Sequence, residues 1–205
     1  MGAVPQIPTQ DTVARIQRLQ TVTIGWMMVE AILSLWAAWI ARSPALLAFG
    51  GDSAIELLSA FVVLWQFRIV AQPDHAERIT ARISGGLLFV LAAYVAGTSI
   101  LALLGYSLPQ PTYLGIAVLI AAAIVMPWLS REKRRLSAAT GSAALRADSA
   151  QSAACAYLSL IALLGLAVNA IWHVRWADPA AALLAIPPIV REGWEALRGK
   201  PCACS

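Results

Sequence analysis

The stretch AFGGDSAIELLSAFVVLWQF, residues 48–67, decides the fold of this chain. Only Asp52 and Glu56 are charged in this otherwise apolar segment. A helix of about twenty mostly apolar residues, rising about 1.5 Å per residue, crosses a hydrocarbon layer of ~30 Å. The segment therefore predicts a transmembrane helix. Its two acidic residues, four positions apart, lie on one face of that helix.

The composition of the whole chain supports a membrane location. The chain has 205 residues, of which 60% are hydrophobic and 13% charged, whereas soluble domains carry about 25% charged residues. A soluble fold of this length has no interior large enough for so much apolar surface. We therefore predict an all-α polytopic membrane protein, a bundle of six transmembrane helices. Their predicted ranges are 21–41, 45–67, 83–105, 113–129, 142–171 and 179–190.

The ends of the chain are predicted to lie outside the bilayer. Residues 1–20 read as a cytoplasmic segment with a short polar surface helix over 9–20. Residues 21–190 form the membrane domain. Residues 191–205 form a short amphipathic tail that carries Cys202 and Cys204. Asp178 is expected to cap helix six, and Pro187 with Pro188 to bend or end it.

Basic residues predict the orientation. With six helices, both termini lie on the same side as the loops that connect helices two to three and four to five. The other side holds only Arg42 and Arg175, and Arg146 falls just inside helix five. By the positive-inside rule both termini are cytoplasmic. The expected location is a bacterial inner membrane. The basic residues on the cytoplasmic side are Arg15, Arg18, Arg68, Arg78, Arg82, Arg131, Lys133, Arg134, Arg135, Arg191, Arg198 and Lys200.

Four carboxylates fall inside the predicted spans, where each costs several kcal/mol unless it faces the bundle interior and has a partner. They are Glu30, Asp52, Glu56 and Asp148. On helix five, polar and sulfur side chains step by three and four positions and so share one stripe. The members of that stripe are Asp148, Gln151, Ser152, Cys155 and Ser159.

The depths of these side chains coincide. At the helical rise, Asp52 and Glu56 lie ~12 and ~18 Å from the outer edge, while Gln151 and Cys155 lie ~13 and ~20 Å from the inner edge. Asp52 is then level with Cys155, and Glu56 with Gln151. Glu30 falls ~13 Å from the inner edge, close to the level of Glu56.

Two carboxylates and a thiolate suit a tetrahedral, borderline-soft ion, zinc first. Calcium requires six or more oxygen ligands, more than this site offers. Cobalt, cadmium, iron and nickel remain open. Asp148 or a water molecule would complete the shell if Gln151 does not.

Two segments carry a resemblance to a known family: AFGGDSAIELLSA at 48–60 and ALRADSAQSAACAYLS at 144–159. With the six-helix layout, they resemble the cation diffusion facilitators, proton-coupled exporters of divalent metals. By position, the resemblance implies a transport site of Asp52, Glu56, Gln151 and Cys155. Glu56 stands where the family usually has a second Asp, and Gln151 and Cys155 where it has His or Asp followed by Asp.

The resemblance also bears on the surroundings of the site and on the partners. Glu30, Ser152 and Arg146 are predicted to relay protons or to bond the ligands, with Arg146 as a partner of Glu30. Asp148 is a ligand, the partner of Arg146 in a salt bridge, or a cap near the start of helix five. Family members usually carry a cytoplasmic domain after helix six, and this sequence is expected to be a short form without it. A homodimer would then have to form through the helices.

Three other functions compete with metal export. A membrane-embedded hydrolase lacks a histidine-rich site, because the only two histidines fall in loops. A channel is disfavoured because a tight multi-ligand site slows release. A non-transporting, metal-binding regulator stays open. We predict no enzyme activity, no prosthetic group and no nucleic-acid partner; Cys202 and Cys204 either capture soft metal ions or have no role.

Overall fold

The computed structural model describes residues 10–69, 73–140 and 143–198, and these residues form six α-helices and no strand. The predicted fold class, an all-α polytopic membrane protein, is confirmed. The tail with Cys202 and Cys204 lies outside the described residues. The helices are α1 (Gln10–Ala41), α2 (Pro44–Ile69), α3 (Pro73–Leu103), α4 (Tyr113–Thr140), α5 (Ala143–Trp172) and α6 (Ala177–Leu197).

Several helices are longer than the apolar windows that predicted them. The polar segment before residue 21 continues α1 from Gln10 and is not a separate surface helix. α4 runs eleven residues past its predicted end at 129, to Thr140. α6 continues through Pro187 and Pro188 to Leu197. These prolines therefore do not end it, and the amphipathic stretch predicted after residue 190 continues the helix. Hydropathy marks the hydrocarbon-crossing part of a helix, whereas backbone hydrogen bonding continues into the interface.

Four of the helices have described stretches long and apolar enough to cross a membrane: 14–41, 82–103, 113–140 and 148–172. Large apolar side chains such as Trp39, Ile124 and Leu164 are exposed on their outer faces. Exposed apolar surface of this extent fits lipid contact. α2 packs against α1, α3, α5 and α6, and it therefore occupies the centre of the bundle.

Small residues let α2 approach its neighbours closely. A side-chain carbon at Gly50 would collide with the Ser34 side chain of α1, and one at Gly51 would collide with Leu91 of α3. Close helix packing in membranes depends on such small residues. Because these glycines directly precede Asp52, the packing they permit sets Asp52 deep within the bundle, where it is 0% exposed.

Asp178 binds another helix and does not cap its own. No side chain caps the start of α6. The Asp178 carboxylate instead accepts hydrogen bonds from the Ser43 hydroxyl, at 2.5 Å, and from the Ala45 amide, at 3.2 Å. Ser43 in turn accepts from the Leu46 amide. Asp178 and Ser43 therefore satisfy one free amide each at the start of α2, and Asp178 ties α2 to α6.

Candidate metal centre

The structure brings together three side chains of α2 and α5 that can bind a metal. One ligand atom each from Asp52, Glu56 and Cys155 lies within 4.8 Å of the others. Asp52 and Glu56 are one turn apart on α2, and α5 packs against that face of α2. Helices α2 and α5 meet at these residues, as the calculated depths of the side chains predicted.

Asp52 has the least satisfied polar group of the cluster. Among the described residues, nothing hydrogen-bonds either oxygen of its fully buried carboxylate. The Cys155 thiol, also buried, lies 3.4 Å from both carboxylate oxygens of Glu56. Burying a carboxylate without a donor or a counter-charge is costly. A cation between Asp52, Glu56 and Cys155 would remove that cost.

Gln151 contacts the cluster through its amide nitrogen. Nε2 donates hydrogen bonds to Oε1 of Glu56 and to Oε1 of Glu192, which lies on α6. Gln151, Glu56 and Glu192 are all half-buried. The amide therefore joins α2, α5 and α6 beside the three candidate ligands.

Glu30 adjoins the cluster and does not contact Arg146. The fully buried Glu30 carboxylate accepts hydrogen bonds from Trp26 Nε1 at 2.6 Å and from Ser53 Oγ at 2.8 Å. Arg146 is exposed, and the structure does not pair it with Glu30, contrary to prediction. An arginine near the start of α5 reaches water more cheaply than it reaches a buried carboxylate.

Asp148 belongs to a different polar group. Its Oδ1 pairs with the Lys133 ammonium at 2.8 Å, and its Oδ2 accepts from Gln20 Nε2 at 2.7 Å. Lys133 also donates to Ser152 Oγ at 3.0 Å. The partner of Asp148 is thus Lys133 and not the predicted Arg146, and Ser152 serves this ion pair. Asp148 is not part of the three-residue cluster.

Sequence reasoning missed Glu192 and Lys133 for a common reason. Both lie beyond the apolar windows, Glu192 after Pro188 and Lys133 within a basic run, and both were assigned to the cytoplasmic surface. Helical periodicity was the usable signal. If α4 continues past Leu129, Lys133 lies one turn further along the face of that buried leucine.

Comparisons with known proteins identify the family of this chain. Residues 21–199 match the cation efflux transmembrane domain. The chain is 30% identical over 184 residues to an uncharacterized transporter, sll1263, of Synechocystis, and 29% identical over 188 residues to the manganese efflux system protein MneS of Bacillus subtilis. These alignments cover 83% and 85% of this chain but 58% and 63% of the relatives. On these matches, the chain belongs to the cation efflux family, the cation diffusion facilitators.

Proposed function

We propose that this protein exports a divalent transition-metal cation across the membrane in exchange for protons. One observation carries the proposal: the buried cluster of Asp52, Glu56 and Cys155, with an Asp52 carboxylate that has no partner among the described residues. Membrane proteins rarely keep unpartnered acidic groups at depth unless an ion or a proton passes there.

Zinc is the cargo that this donor set fits best. Two carboxylates with one thiolate combine hard and soft donors, which zinc accepts in a tetrahedral shell. Manganese, the ion in the printed name of MneS, prefers carboxylate, carbonyl and water oxygens. Cys155 is therefore the residue whose chemistry favours zinc over manganese. Gln151 remains a predicted ligand. Its contacts with Glu56 and Glu192 use the amide nitrogen, which is a donor, whereas a metal would bind the amide oxygen.

Proton exchange follows from the chemistry of the ligands. A thiol and carboxyl groups bind metal only after they lose their protons, so metal binding releases protons into the site. Glu30 is the proposed relay, because its carboxylate reaches Ser53, the neighbour of Asp52 in the chain. If the outer side of the membrane is more acidic than the cytoplasm, reprotonation of the ligands on that side would favour release of the metal there.

The proposed setting is a bacterial inner membrane with both termini in the cytoplasm. The support for it is the excess of basic residues in the loops assigned to that side. Metal would then enter from the cytoplasm, and the partners are protons and lipid. A homodimer remains a prediction. We assign no enzymatic activity and no prosthetic group to the chain.

Transport by the purified chain in proteoliposomes tests this function. Zinc uptake and the matching proton flux are followed with fluorescent probes, in the wild type and in Asp52→Asn, which keeps the shape of the side chain and removes its charge. Glu195→Gln is the matched control, since Glu195 pairs with Arg191 outside the cluster. We expect Asp52→Asn to abolish both fluxes and the control to keep them.

The same assay distinguishes a transporter from a metal-binding regulator that does not transport. Such a protein would bind zinc through Asp52 and yet move neither zinc nor protons when it is alone in the membrane. Wild-type flux in Asp52→Asn would overturn the site itself.

A further inference from the structure

The amide of Gln151 stands where two carboxylates converge. Its Nε2 has two hydrogens, and the structure uses them on Glu56 and on Glu192. Two carboxylate oxygens from different helices therefore approach a single point. A positive group held between them would be stabilised more strongly than an amide, because both acceptors can be charged.

Glu192 lies beside Gln151 without a positive partner among the side chains that the structure describes. None of the lysine, arginine or histidine side chains described there forms an ion pair with it. The next acidic residue on the same helix, Glu195, pairs with Arg191 at 2.9 Å. α6 thus satisfies its outward carboxylate with an arginine and turns the other toward Gln151 and Glu56.

A second observation indicates that this acidic group serves a ligand. The Asp52 carboxylate, fully buried and without a hydrogen-bond partner in the described chain, lies on the same face of α2 as Glu56. Glu56 is in contact both with Cys155 and with the amide that holds Glu192. The half-buried Glu192 is not one of the three residues whose ligand atoms already lie together. Through Gln151 it adjoins the cluster to which the unsatisfied Asp52 belongs.

We propose that Glu192 is a ligand of the transported cation, and that Gln151 holds Glu192 beside Glu56 while the site is empty. On binding, the cation takes the carboxylate oxygens that the amide now holds, and the amide turns away. The ligands are then Asp52, Glu56, Glu192 and Cys155, four donors from three helices, which fills a tetrahedral shell. This inference rests on the proposed function, since it assumes that the cluster binds a metal.

Cadmium tests whether position 192 reaches the metal. In a Cys202→Ser, Cys204→Ser background, Cys155 is the one remaining thiol. Cadmium binding then gives an ultraviolet thiolate-to-metal charge-transfer band with the intensity expected for one sulfur ligand. We expect Glu192→Cys to raise this band toward that of two sulfurs, and Glu195→Cys, one turn further along α6, to leave it unchanged. A one-sulfur band in Glu192→Cys, with cadmium still bound, would overturn the proposal.

Zinc affinity provides a second test that does not need a new thiol. Loss of a residue that only hydrogen-bonds a metal ligand weakens affinity by about 10–100-fold. We expect Glu192→Gln to weaken zinc binding at least about 100-fold, as loss of a direct ligand should exceed that range. A smaller loss in folded protein contradicts the ligand role.

The Asp52→Asn variant distinguishes failure of the proposed function from failure of the proposed role of Glu192. If zinc binding survives Asp52→Asn unchanged, the proposed function fails. If zinc binding is lost in Asp52→Asn but intact in Glu192→Gln, the function stands and the role of Glu192 is refuted.

Discussion

The buried ion pair between Lys133 and Asp148 allows a quantitative prediction about stability. The Lys133 side chain is 1% exposed and that of Asp148 is 31% exposed. Besides each other, the ammonium contacts the Ser152 hydroxyl, and the carboxylate accepts a hydrogen bond from Gln20. The pair joins α4 to α5, and Gln20 adds α1. Removal of either partner therefore leaves the other charge in a different environment. The ammonium would be buried with one hydrogen bond, whereas the carboxylate would be partly exposed with one hydrogen bond.

Asp148→Asn should be the more damaging single change. It leaves a fully buried ammonium beside a hydroxyl and an amide, and breaking a buried pair in this way costs about 3–5 kcal/mol. We expect the low end of that range, because the ammonium keeps its hydrogen bond to the Ser152 hydroxyl. Lys133→Met leaves a carboxylate that is partly exposed and still bonded to Gln20, at a cost of about 1–3 kcal/mol. The double variant should recover most of the loss, since no unpaired charge remains buried.

Equilibrium unfolding in mixed micelles, followed by circular dichroism, measures all four proteins of this double-mutant cycle. Zinc titration of the folded Asp148→Asn protein completes the test, and we expect an affinity within a few-fold of the wild type. Unchanged stability together with lost zinc binding would refute the reasoning. Asp148 would then be the metal ligand that the sequence had suggested.

Two further substitutions test the roles of individual groups in the cluster. Cys155→Ser should lower the preference for zinc over manganese by at least about tenfold, or about 1.4 kcal/mol, in a competition titration. The reason is that an oxygen replaces the soft donor of the cluster. An unchanged ratio of affinities would show that the thiolate is not a ligand. Gln151→Ala should leave zinc affinity equal or higher, since the amide competes with the cation for Glu56 and Glu192; weaker binding would instead make Gln151 a ligand.

The contact between α2 and α5 could be predicted from the sequence because two simple rules act together there. Helical periodicity puts Asp52 with Glu56 on one face, and Gln151 with Cys155 on another. The cost of buried charge then turns both faces inward. With two antiparallel helices of known starting points, the rise per residue fixes which residues meet. No tertiary information is needed for that step.

The roles of Lys133, Glu192 and Asp178 could not be predicted in the same way. Lys133 stands in a basic run that also serves as an orientation signal, and only packing against α5 buries it. Asp178 has the sequence signature of a cap for its own helix, yet it caps the start of α2. In each case the partner lies on another helix, and nothing in the local sequence specifies that neighbour.

The polar contacts between helices divide the bundle in a way that bears on transport. Ser53 ties α2 to α1 through Glu30, and Asp178 ties α2 to α6. Lys133 ties α4 to α5. Between these two groups, the polar side-chain contacts include those of the cluster itself, the hydrogen bond from Gln20 to Asp148 and the ion pair of Arg15 with Glu132.

A movement of α4 and α5 against α1, α2 and α6 would therefore break the contacts of the cluster, which a bound cation replaces, together with the contacts of Gln20 with Asp148 and of Arg15 with Glu132. In the proposed mechanism the cation bridges the interface along which the bundle must open. Binding and release of cargo are then coupled to the conformational change through the same few side chains, because a ligand shifts a conformational equilibrium only by its differential affinity for the two states.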